Sequence, residues 1–76
     1  MSPFLPQVTA KDLVHVAGRL GFHLDRQKGS HAVYYRASDK ARVVIPMHTG
    51  RDIKPKTLHG IIDDLRISTE RLKELL

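Results

Sequence analysis

The segment that decides the fold is Phe22-His23-Leu24-Asp25-Arg26-Gln27-Lys28-Gly29-Ser30-His31-Ala32-Val33-Tyr34-Tyr35-Arg36. Its second half is rich in residues that favour β-strands. Gly29 and Ser30 stand between two short alternating runs, and glycine tolerates the positive φ that tight hairpin turns require. The pattern predicts strands over 22–28 and 31–36, with His31 at or just past the turn, where side chains are accessible.

A third strand is predicted over 41–46, because Val43-Val44-Ile45 is a β-branched run. Residues 37–40 contain Ser and Asp, which favour turns, and Pro46 ends the strand because it cannot donate to a ladder. Since the connections are short, we expect an antiparallel meander.

The face on which His31 lies depends on the length of the first turn, because a shift of one residue reverses every side chain. A two-residue turn predicts three cross-strand pairs: Lys28 with His31, Arg26 with Val33, and Leu24 with Tyr35. In that register His31 shares a face with Leu24 and Val33, and a longer loop would reverse this.

Helices are predicted on both sides of the strands. Thr9 and Asp12 have the form of a capping box before a helix over 10–20, and Gly21 is suited to end that helix. A second helix is expected over 55–66, beginning at a proline, and its Gly60 costs up to about 1 kcal/mol. A short third helix is expected over 69–76.

The element order is therefore α-β-β-β-α with a short C-terminal helix, in a single domain over 1–76 with an extended lead-in over 1–8. This is an α+β fold in which two amphipathic helices cover one face of a three-stranded sheet. Double-stranded RNA-binding domains have the same order, which is an analogy of fold alone.

The charge is concentrated in the middle of the chain. Residues 26–56 hold eight Lys or Arg against two Asp, a net charge of +6, although the whole chain carries +5. Such a segment favours an anionic partner, first of all nucleic acid, although a basic surface also serves solubility. The chain has no cysteine, no predicted signal peptide and no membrane span, so we expect a cytoplasmic protein without membrane contact.

Two of the five histidines stand out. His15, His23 and His59 lie off the apolar stripes and are expected to be solvated. His31 begins the second strand and His48 follows the third, so a meander places both at the same end of the sheet. Four cations are expected near them: Arg26, Lys28, Arg51 and Lys54.

Phosphoryl chemistry fits these residues better than a metal site. Without cysteine, and with cations crowding the two histidines, a zinc site is disfavoured, and we expect no cofactor. Cleavage of RNA by its own 2′-hydroxyl needs a base, an acid and cations. An imidazole with a pKa near ~6.5 can serve as either the base or the acid at neutral pH. Ser30 is not a nucleophile partner of His31, because strand neighbours point to opposite faces.

The chain resembles the HicA toxin family over residues 9–76. The resemblance is carried by Gly21-Phe22, Lys28-Gly29-Ser30-His31, Val44-Ile45-Pro46-Met47-His48, Lys56-Thr57-Leu58 and the segment 61–68. It implies an mRNA interferase of a type II toxin–antitoxin system, with a double-stranded-RNA-binding-like fold and a HicB-type antitoxin that occludes it. We expect the toxin alone to be a monomer that forms a larger complex with the antitoxin. Arg66 departs from the family, whose members often have glycine there, and this leaves the end of the second helix open.

The resemblance implies that His31 is the catalytic residue, and it also includes His48. We expect Gly29 and Ser30 to shape the turn and Lys28 to contact phosphate, with Arg26, Arg51, Lys54 and His48 as further contacts to single-stranded mRNA. Two other classes remain open. A non-catalytic RNA-binding module predicts salt-sensitive binding without cleavage, and a protein-binding domain predicts an acidic partner.

Overall fold

The computed structural model describes residues 5–48 and 50–76. It confirms the predicted α+β order, and each predicted boundary lies within one residue of the observed one. Residues 1–4 of the predicted lead-in lie outside the described residues. The elements are α1 (Ala10–Arg19), β1 (His23–Lys28), β2 (His31–Arg36), β3 (Ala41–Pro46), α2 (Pro55–Leu65) and α3 (Thr69–Leu75).

The three strands form an antiparallel sheet in the order β1-β2-β3. Lys28 pairs with His31 and Arg26 with Val33, as the two-residue turn predicts. The third predicted pair is wrong. Leu24 pairs with Tyr34 instead of Tyr35, because the register shifts between Leu24 and Arg26. A bulge of this kind inserts one extra residue, here Asp25, into one strand. Leu24 therefore lies on the face opposite His31.

The two faces of the sheet have different environments. Ala32, Val43 and Ile45 are buried, whereas the intervening His31, Arg42 and Val44 are exposed. The buried face packs against the helices, and we call the other one the open face. The core is formed by buried apolar side chains from every helix and from β3, with further members from the connecting segments: Val8, Ala10, Leu13, Val16, Ala17, Phe22, Ala41, Val43, Ile45, Ile53, Leu58, Ile61, Ile62, Leu65, Leu72 and Leu75.

The ends of α1 follow the sequence closely. The Thr9 N–H donates to the Asp12 carboxylate at 2.9 Å, and the Asp12 N–H donates to Thr9 Oγ1 at 3.3 Å, which completes the capping box. At the other end Gly21 has φ +88°, and the Phe22 N–H donates to the Ala17 carbonyl at 2.9 Å. This is the arrangement of a Schellman motif, which favours glycine at the left-handed position.

Arg66 takes the corresponding position at the end of α2. It has φ +62° and ψ +44°, and its N–H donates to the Asp63 carbonyl at 3.0 Å. The Ile67 N–H reaches the Ile62 carbonyl at 3.4 Å. The helix thus ends at Leu65, one residue earlier than expected, and an arginine adopts the backbone conformation for which glycine is favoured.

Arg36 joins the end of α1 to the sheet. Its Nη1 donates to the Leu20 carbonyl at 2.9 Å, and its Nε and Nη2 donate to the two carboxylate oxygens of Asp39 at 2.9 and 2.7 Å. Its guanidinium also lies 4.5 Å from the centroid of the Phe22 ring. The hydrogen bond with Arg36 is the main cause that lowers the pKa of Asp39 from 3.8 to about 2.

The end of the lead-in contributes to the core. Val8 is buried, and its carbonyl accepts a hydrogen bond from the Ile53 N–H at 2.7 Å, while Thr9 and Asp52 form an isolated bridge. The sequence pattern did not identify this contact. Within residues 5–48 and 50–76, no helix is long and apolar enough to cross a bilayer.

Candidate functional site

The turn between β1 and β2 places His31 at the end of the open face. Gly29 has φ +58° and comes first in the two-residue turn, where a type II′ hairpin favours glycine. Gln27 Nε2 donates to the Gly29 carbonyl at 3.1 Å. On the other side the Met47 N–H donates to the Ser30 carbonyl. Hydrogen bonds from β1 and from the residue after β3 therefore fix the position of the turn. The His31 side chain remains exposed.

A shallow depression of about 530 Å³ on the open face contains His31. It is lined by two cations, Arg26 and Lys28, and by the apolar side chains of Val33 and Val44. Lys28 is directly opposite His31 in the ladder, and Arg26 is two positions further along β1. Among the residues that the structure describes, no carboxylate lines this depression. It thus combines an accessible imidazole with fixed positive charge, a combination that favours an anionic ligand such as a phosphodiester.

His48 lies in a different depression. This second depression has a volume of about 250 Å³ and is lined by His48, Arg51 and Lys54, together with Asp52 and Thr57. We call His31 with Arg26 and Lys28 the first group, and His48 with Arg51 and Lys54 the second group. His48 also borders a further depression with Lys11 and the start of α1. The four predicted cations are therefore divided between the two histidines, with Arg26 and Lys28 beside His31 and Arg51 and Lys54 beside His48.

The two groups adjoin at Pro46. Pro46 pairs with His31 in the ladder between β2 and β3, and it also lines the depression that contains His48. His31 and His48 therefore lie at the same end of the sheet, where β2 begins and β3 ends. Each imidazole has its own set of neighbours, and the described depressions do not combine them.

The open face also contains residues that sequence reasoning did not single out. Val33 and Tyr35 follow His31 at alternate positions of β2, and Arg42 is directly opposite Tyr35. The Arg42 guanidinium lies 5.5 Å from the centroid of the Tyr35 ring. The spacing of Val33 and Tyr35 after His31 predicts that the three share a face, because residues at i, i+2 and i+4 of a strand do so. The sequence did not show which face of the sheet this is.

The described residues contain no group of three or more His, Cys, Asp or Glu side chains that could hold a metal ion. The side chains around His31 are cationic or apolar, so the charge of this depression favours anions and disfavours divalent cations.

Comparison with protein families identifies the family of the chain. The model of a protein family described as the HicA toxin of bacterial toxin–antitoxin systems matches residues 10–67, about three quarters of the chain. No curated protein sequence matches the chain. The matched segment runs from the start of α1 to Ile67, just beyond α2, and includes both histidine groups. The chain therefore belongs to the HicA toxin family of bacterial toxin–antitoxin systems.

Proposed function

We propose that this toxin is an endoribonuclease that cleaves single-stranded mRNA, and that His31 transfers a proton in the reaction. The observation that carries the proposal is the position of His31, exposed on the open face and sharing one depression with Arg26 and Lys28. Membership of a toxin family supports a damaging activity, and RNA is the substrate that matches this combination of groups.

The reaction uses the 2′-hydroxyl of the RNA as its nucleophile. A base removes the 2′-proton, the 2′-oxygen bonds to phosphorus, and the bond from phosphorus to the 5′-oxygen breaks as that oxygen gains a proton. The neutral imidazole of His31 can accept the first proton, and its protonated form can donate the second. Lys28 and Arg26 would stabilise the negative charge that develops on the phosphoryl oxygens. This reaction requires no metal ion and no cofactor.

The second group extends the path of the RNA. His48, Arg51 and Lys54 lie beyond Pro46, so an RNA strand bound at His31 can continue around this end of the sheet. In this proposal these side chains contact phosphates next to the cleaved one. Gly29 and Ser30 contribute through the turn that they form, since it sets the position of His31.

The antitoxin provides the control of the activity. A toxin of a toxin–antitoxin system has an antitoxin partner, and we propose one of the HicB type that covers the open face and excludes RNA from His31. The free toxin would act as a monomer on cytoplasmic mRNA, and the complex with the antitoxin would be a larger assembly.

The test compares wild-type protein with His31→Ala. Both are incubated with a long single-stranded RNA in EDTA, and the products are separated on a denaturing gel. His59→Ala is the matched control, because His59 is also an exposed histidine but lies on α2. We expect cleavage by the wild type and by His59→Ala, and none by His31→Ala. Expression in bacteria should arrest growth for the wild type and His59→Ala but not for His31→Ala. This second assay also detects a toxin that cleaves mRNA only in the presence of the ribosome.

Two outcomes would contradict the proposal. Normal cleavage by His31→Ala would show that another group transfers the proton. Absence of cleavage and of growth arrest for all three proteins, with a salt-dependent mobility shift of the RNA, would favour a non-catalytic RNA-binding module.

A further inference from the structure

The open face continues well beyond His31. Val33 and Tyr35 lie at the next two outward positions of β2, and their partners on β3 are Val44 and Arg42. Val44 is 44% exposed, and Val33 and Tyr35 are half-buried. Apolar side chains therefore connect the imidazole with the Tyr35 ring, over which the Arg42 guanidinium lies.

The charge of this face suits a polyanion. The strand positions paired across it carry three cations, Arg26, Lys28 and Arg42, while the carboxylate of the strands, Asp25, lies unpaired at the bulge of β1. Asp39, in the turn before β3, forms an ion pair with Arg36 at 2.7 Å. Single-stranded RNA is bound by such surfaces through cations that follow the backbone and aromatic rings on which bases stack.

The geometry points to a base-stacking subsite at Tyr35. We propose that, when the phosphate to be cleaved is at His31, a nearby base of the same single strand stacks on the Tyr35 ring together with the Arg42 guanidinium. Tyr35 is four positions after His31 on β2, a distance of about 13 Å, which an RNA strand covers without crossing to another face. This inference rests on the proposed function, since it names a further contact of the same substrate.

The subsite has a defined role. Stacking accepts any base, because every base has a π-face, so Tyr35 would increase affinity and set the register of the strand at His31 without selecting a sequence. Arg42 would contribute a second planar surface and a positive charge.

The binding test uses His31→Ala protein, which keeps the RNA intact, and a short fluorescein-labelled oligouridylate followed by fluorescence anisotropy. In this His31→Ala background, we expect Tyr35→Leu to weaken RNA binding about tenfold or more, as for the loss of one stacked base. Tyr35→Phe should retain most of the affinity, because it keeps the ring. Tyr34→Leu is the matched control, because Tyr34 is the adjacent residue on the helix-packed face, and its affinity should not change. Thermal melts establish that each variant is folded.

A second measurement does not depend on removing the ring. The chain contains no tryptophan, so Tyr35→Trp places a single indole at the proposed subsite. Addition of unlabelled oligouridylate should quench its fluorescence, whereas Tyr34→Trp on the other face should remain unquenched.

The outcomes separate this inference from the proposed function. Unchanged RNA affinity of Tyr35→Leu, or an unquenched indole in Tyr35→Trp, overturns the subsite, while the cleavage assay with His31→Ala still decides the enzyme. If Tyr35→Leu binds RNA normally but loses affinity for the antitoxin, the face is a protein-binding surface and the subsite is also overturned. The subsite is supported if Tyr35→Leu binds RNA more weakly while Tyr34→Leu does not, and if RNA quenches the indole of Tyr35→Trp but not that of Tyr34→Trp.

Discussion

At the scale of single residues, Arg36 shows why a count of charges differs from a map of a binding surface. In the sequence it is one of the eight Lys or Arg that give residues 26–56 their positive charge. In the structure its guanidinium is occupied by the Leu20 carbonyl, the Asp39 carboxylate and the Phe22 ring. Arg36 therefore joins α1 to the sheet, and the pKa of its guanidinium is raised mainly by the hydrogen bond with Asp39.

Asp39→Asn should change how stability depends on pH. The folded-state pKa of Asp39 is about 2, below its ordinary value of 3.8. The stabilisation from the ionised carboxylate is therefore present above the ordinary value and is lost as the pH falls through about 2. We expect urea denaturation to show that wild type loses more stability than Asp39→Asn over this window. Equal losses would contradict the assignment of the ion pair.

At the scale of elements, a single change from glycine to alanine should have opposite effects in two places. Gly21 has φ +88°, and an added Cβ would meet only the Arg36 side chain at 3.6 Å, an ordinary contact. The cost of Gly21→Ala is therefore one of backbone conformation, roughly 1–2 kcal/mol of lost stability. Gly60 lies inside α2, where an added Cβ meets nothing within 4 Å, so Gly60→Ala should stabilise by about 0.5–1 kcal/mol.

Thermal and urea denaturation of the two variants measure this difference directly. The two variants are each other's control, because the chemical change is the same. Destabilisation by both would mean that α2 does not have its regular helical backbone at Gly60, and stabilisation by both would contradict the left-handed conformation at Gly21.

The bulge at Asp25 shows a further effect at this scale. By inserting one residue into β1, it moves Leu24 from the face of His31 to the face of Tyr34. Leu24 is 53% exposed there, because the helices pack against β3, at the other edge of the sheet. The open face consequently keeps Arg26, Lys28 and His31 together without a leucine among them.

At the scale of the whole molecule, the net positive charge lies on the sheet and not on the helices. The cations of the open face lie around His31 and Tyr35, whereas on the three helices five Lys or Arg are balanced by five Asp or Glu. This separation predicts that a polyanion binds one side of the molecule.

Salt dependence of RNA binding tests this division. In the His31→Ala background, Arg26→Gln should reduce the magnitude of the slope of log affinity against log salt by about 0.7, as for the loss of one phosphate contact with a single strand. Arg19→Gln, the same change at an exposed arginine on α1, should leave the slope unchanged. Equal effects of the two substitutions would show that the RNA does not prefer the open face.

The secondary structure could be predicted from the sequence because its signals are local. The capping box at Thr9, the glycine at 21, the turn at 29–30 and the proline at 55 each act within a few residues of chain, so neighbouring residues suffice to determine them. The candidate residues around His31 could be named on the same basis and from the resemblance to the family.

The sequence by itself determined the order of the elements, the short turn that exposes His31 and the positive charge of the middle of the chain. The tertiary structure alone decided which face His31 occupies, which cations lie beside it and which beside His48, and that Tyr35 and Arg42 share its surface. It also decided that Arg36 is a structural contact and that Val8 is buried. The physical reason is that register and layer packing depend on contacts between distant parts of the chain, and one extra residue in β1 is enough to reverse a face.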